Sequence, residues 1–71
     1  MITQEQLNNW FTYHEPTQEQ VIAYYALREA GKKFAEEILR RTPESEDQTA
    51  AIQLVRGAVM AANAAIACGG K

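Results

Sequence analysis

Thr17-Gln18-Glu19-Gln20-Val21-Ile22-Ala23-Tyr24-Tyr25-Ala26-Leu27-Arg28-Glu29-Ala30-Gly31-Lys32-Lys33-Phe34-Ala35-Glu36-Glu37-Ile38 is the stretch that decides the fold. Tyr24, Leu27, Gly31, Phe34 and Ile38 recur at alternating three- and four-residue spacing, the apolar stripe of an α-helix. Thr17 followed by Gln20 is the capping-box pattern that opens such a helix, and Pro43 stops it, so it is predicted over about residues 18–41. Gly31 within the stripe weakens the helix by up to about 1 kcal/mol relative to alanine, and permits a neighbouring backbone to come close.

Upstream, Thr3 with Gln6 repeats the capping pattern and predicts a short first helix ending near Trp10. Phe11 to Pro16 is expected to be extended, because the residue before a proline is pushed out of the α region. Downstream, Ser45 with Gln48 opens a third helix, Glu46 and Asp47 suit its positive end, and Gly69-Gly70 ends it near Cys68. This helix carries two adjacent apolar stripes. Ile52, Val55, Val59, Ala62 and Ile66 can pack on the second helix as an antiparallel hairpin, with Met60 filling the core. Ala51, Leu54, Ala58, Ala61 and Ala65 form a second stripe that a lone hairpin leaves uncovered. The expectation is an all-α chain, one domain over residues 1–71, assembled as a homo-oligomer. Asn63, polar among alanines, is expected to hydrogen-bond across that interface and fix its register.

Size leads to the same expectation. At 71 residues a domain needs disulfides, a metal or partner subunits to bury enough surface. Cys68 is the only cysteine, and with the single His14 it cannot make a structural zinc site. One unpaired thiol suits a reducing cytosol. Met1 to Glu5 carries no signal-peptide pattern, and the apolar runs read as too interrupted to span a bilayer. A net charge of −2 with interleaved signs argues against long DNA or RNA, though not against a small anion held by a few cations.

Catalysis requires paired acid, base or nucleophilic groups, and no such motif or phosphate loop is present. Glu36-Glu37 lies on a charged helical face. No enzyme, cofactor or catalytic residue is therefore expected. Arg28 and Lys32, four residues apart, project from one helix face. Tyr24 and Tyr25 lie one turn earlier, and Phe11 and Tyr13 bring further rings to the helix start. Rings that stack on bases and cations that fork onto phosphate are the minimum chemistry for a nucleotide. The same residues also read as ordinary structure: Tyr24 as core, Phe11 as a pocket wall or core, Arg28 and Lys32 as solvated charge, His14 as a loop cap.

Phe11-Thr12-Tyr13-His14-Glu15-Pro16, then Gln20, Tyr24, Leu27-Arg28, Thr42-Pro43-Glu44-Ser45 and Met60-Ala61-Ala62-Asn63-Ala64-Ala65-Ile66-Ala67, in that order and spacing, resemble a phage family. It is the anti-CBASS protein 2 family of cyclic-oligonucleotide sponges, and the resemblance covers residues 11–67. It implies that Tyr13 stacks on a messenger's base and that Arg28 holds its phosphates, with Phe11, His14 and Lys32 as further candidate contacts. It also implies a homohexamer in the host bacterial cytoplasm. The ligand would be a cyclic dinucleotide such as 3′,3′-cGAMP or a cyclic trinucleotide, sequestered without cleavage. The family often places a basic residue after the Asn-Ala-Ala-Ile-Ala block, where this chain has Cys68. That departure bears on the trinucleotide pocket formed where three subunits meet. A related anti-Thoeris sponge family makes a cyclic ADP-ribose-type signal the near alternative; a helical adaptor is the alternative from another class.

Overall fold

The computed structural model describes residues 1–71, and it is all-helical. Helix α1 spans Gln4–Trp10, α2 Gln18–Arg41 and α3 Glu46–Ala67. Both predicted capping boxes form, with the Thr3 and Thr17 side chains accepting from the Gln6 and Gln20 backbone N–H groups, and each glutamine side chain accepting from its threonine's N–H. Ser45 caps α3 through the Gln48 N–H alone. The Gln48 side-chain amide is directed instead to the Thr42 carbonyl, 3.1 Å away, which ties the α2–α3 turn together. At the other end Gly69 and Gly70 take φ of 65° and 76°, where L side chains are strained, and the Gly70 N–H closes onto the Ala65 carbonyl.

The connector departs from its expected extended form at the start. Phe11 still donates its N–H to the Leu7 carbonyl, and the Thr12 hydroxyl donates to the Asn8 carbonyl. Phe11 is therefore the C-cap of α1 and Thr12 a bend tied to its last turn, and the chain is without regular structure from Tyr13 to Pro16.

α2 and α3 pack as an antiparallel hairpin. A Cβ built on Gly31 would meet Val59 Cγ2 at 2.5 Å, so glycine is what lets the helices close at this level. The seam on α3 is the predicted one: Ile52, Val55, Val59, Ala62 and Ile66 are all half-buried. One expectation fails: Met60 is 61% exposed and is not core. Phe34 keeps its place on the apolar stripe but is 59% exposed, and Ala35, one position on, is half-buried.

No residue is fully buried, and the molecule measures 44 × 31 × 14 Å, barely thicker than one helix with its side chains. Its accessible surface is 5981 Å², against about 4,400 Å² for a compact monomer of this mass. Its radius of gyration is 15.1 Å, where about 11 Å is usual for this length. A single layer of helices has no interior.

One face of that layer is an apolar groove lined by Leu27, Phe34 and Ile38 from α2 and by Ala51, Leu54 and Ala58 from α3, among others. Leu54 is 75% exposed there. The alanine stripe does stay uncovered, with Leu54, Ala58, Ala61 and Ala65 all exposed, and it runs across two depressions. Its first half lines this groove, whereas Ala61 and Ala65 share a hollow with Trp10 of the same chain. By length and composition alone α3 could cross a membrane, its most apolar 18-residue window having a mean hydropathy of 1.4. Much of that hydropathy comes from alanine, and Arg56 at mid-helix would cost about 2.5–3.5 kcal/mol at a bilayer centre.

Candidate functional site

Opposite the apolar groove, the hairpin has a hollow of about 270 Å³ lined by Arg28 and Lys32 from α2, Arg56 and Met60 from α3, and the seam residues between them. Its placement follows from helix geometry. Gly31 points into the seam, so Arg28 and Lys32 flank it on one side of α2, while Arg56 stands beside Val55 on α3. No carboxylate lines the hollow. The two ion pairs in the molecule join Arg40 and Arg41 to Glu37, on the α2 end next to the turn. Arg28, Lys32 and Arg56 are thus unpaired and exposed.

Arg28 also lines a second hollow, of about 340 Å³, with Tyr24, Asn63, Ala64 and Ala67. Tyr24 is half-buried, part of the seam and part of this wall. Asn63 Oδ1 is enclosed without a hydrogen-bond partner, the one such side-chain atom in the molecule. An enclosed acceptor without a donor costs about 1–3 kcal/mol.

The aromatic candidates lie at the end of the hairpin where α2 begins and α3 finishes. There the Gln20 side-chain amide donates to the Ile66 carbonyl, and the Asn9 amide to the Cys68 carbonyl. His14 Nε2–H donates to the Asn9 carbonyl at 2.7 Å, so the ring ties the connector back onto α1. This anchoring leaves Tyr13 on the outside, 82% exposed, with Phe11 similarly open. Tyr13, Phe11 and His14 line neither Arg28 hollow, so one chain does not bring the five sequence-selected residues into one enclosure.

Arg28 and Lys32 do come together, and Arg56, which sequence reasoning passed over, joins them. Its signal was faint: one arginine between Val55 and Gly57, on a helix whose other charges are confined to the first turn. No cluster of three or more histidine, cysteine, aspartate or glutamate side chains gathers to hold a metal.

An open helical hairpin with unpaired cations and exposed rings defines a class: a small all-helical hairpin domain. Residues 3–67 match the family model described as Acb2/Tad1, hairpin domain, and the chain belongs to that family. Its hairpins are sponge domains that bind signalling molecules in the contest between phage and bacterial defence. Neither the curated proteins nor the solved structures contain a match to the chain.

Proposed function

We propose that this protein sequesters cyclic oligonucleotide messengers, cyclic dinucleotides such as 3′,3′-cGAMP first among them, and releases them unaltered. Acting in the cytoplasm of an infected bacterium, it would lower the free messenger and blunt CBASS signalling. The observation that carries this reading is Arg28. It stands at the junction of two hollows with no carboxylate partner, on a hairpin of the sponge family. Its guanidinium is available to fork onto phosphate oxygens, Lys32 adds a second cation one turn on, and exposed Tyr13 offers a face to a purine. Phe11 and His14 complete the aromatic side of the pocket.

The reading includes self-association, as a hexamer by resemblance to the family. Nanomolar capture corresponds to about −12 kcal/mol, and exposed ion pairs give about 0–1 kcal/mol each. A site shared by two copies would desolvate the cations and bring Tyr13 of one chain to Arg28 of another, which one chain alone does not do. A nearly two-fold cyclic dinucleotide suits a two-fold interface. The uncovered apolar groove and the partnerless Asn63 Oδ1 support assembly from the other direction.

Calorimetric titration with 3′,3′-cGAMP tests the reading, repeated for Arg28→Ala and followed by heat release and nucleotide chromatography. Tight binding that the variant loses, with intact messenger recovered, is the expected result. Degraded nucleotide would convert the sponge into an enzyme. No heat from a folded assembly would discard this messenger, and a cyclic trinucleotide or a cyclic ADP-ribose would be titrated next. Silence with all three would leave the apolar groove as the functional surface of a helical adaptor.

A further inference from the structure

We infer that Arg56 is a phosphate-binding residue, acting with Arg28 and Lys32 so that a phosphate group is gripped by both helices of one hairpin. The inference depends on the sponge reading for the identity of the messenger, and on the hollow itself for the rest. Three of the chain's seven basic residues converge on this hollow, although the chain carries nine acids and a net charge of −2. Of the four basic residues outside it, Arg40 and Arg41 are paired with Glu37. Here none of the acids lines the wall.

Three like charges around one depression repel each other, and an anion placed among them removes that repulsion while gaining attraction to each. The floor favours this further. Ala35, Ile52, Val55, Val59 and Met60 are apolar, and a ligand covering them excludes water and strengthens every charge contact above. Two guanidinium forks and an ammonium match the several oxygens of a phosphodiester, whereas a lone carboxylate would satisfy only one fork. A volume of about 270 Å³ admits the phosphate with part of its sugar. Close approach at Gly31 is what puts cations from two helices within reach of one group.

Arg56→Gln is the direct test, because the side chain is exposed and unpaired and its loss leaves the seam intact. Titration with 3′,3′-cGAMP is expected to show affinity about tenfold weaker than wild type, with Arg56→Lys intermediate and sedimentation unchanged. Wild-type affinity in Arg56→Gln would overturn the inference and leave the sponge reading standing. So would a loss that merely follows a change in sedimentation. If the wild type ignores 3′,3′-cGAMP, titration with pyrophosphate reads the hollow by itself. A saturable shift of the Arg56 Nε–H resonance, abolished by Arg28→Gln, then upholds the anion site without that messenger. An unmoved resonance sinks it.

Discussion

The two broad faces of the hairpin are built from the same two helices and have opposite needs. One presents Leu27, Phe34, Leu54 and Ala58, apolar surface that water leaves unsatisfied. The other presents Arg28, Lys32 and Arg56, charge that no part of the chain neutralises. In a larger domain a further layer of helices would cover the first face and carboxylates would ring the second. With a slab 14 Å thick, the chain by itself meets neither requirement. A sponge is well served by this division: one face can be given to assembly and the other to an anion. The contrast also explains why Gly31 matters more than a glycine usually does. The two helices meet at Gly31 and Val59, and this contact sets the shape of both faces at once.

The largest effect is therefore expected from Gly31→Val. A branched side chain at that position collides with Val59, so the helices must separate, at a cost of about 1–3 kcal/mol. Thermal melting should fall, and ligand binding with it, because both faces lose their geometry. Gly31→Ala combined with Val59→Ala should recover much of the loss; no recovery would mean that the contact is not the organising one.

Leu54→Glu separates the faces. It places a charge in the apolar groove and leaves the cationic hollow untouched, so sedimentation should shift toward smaller species, with the association midpoint raised roughly tenfold or more. Unchanged sedimentation would show that this groove is not the assembly surface. Tyr13→Ala probes the ligand from outside the hollow. Loss of one stacked base is worth about 1–3 kcal/mol, to be read by calorimetry, while helix content by circular dichroism should stay constant. Thr17→Ala is the smallest. Removing a cap that holds the Gln20 N–H should lower stability by about 1 kcal/mol, visible in urea unfolding, with the two faces otherwise unaltered.

Most of the local architecture was legible in the chain because its determinants are local. Capping boxes at Thr3 and Thr17, the cap at Ser45, the stop at Pro43 and the glycine pair at 69 and 70 each act within a few residues. The candidate site was only half legible. Arg28 and Lys32 share a helix face, so four-residue spacing placed them together, whereas Arg56 is on another helix and no spacing rule connects it to them. Met60 was misread as core for a related reason. Hydrophobicity says that a side chain would gain from burial, not that a layer exists to bury it.

The sequence by itself determined three helices, their ends, the hairpin seam on α3 and membership of the sponge family, through caps, periodicity and ordered residue blocks. Only the tertiary structure decided which residues from different helices share a hollow: Trp10 with Ala61 and Ala65, and Arg56 with Arg28 and Lys32, while Tyr13 lies apart from them beside the His14 anchor. Periodicity fixes the direction of a side chain around its own helix axis. The rotation of one helix against another is set by how closely they can approach, and here that distance depends on the missing side chain at Gly31.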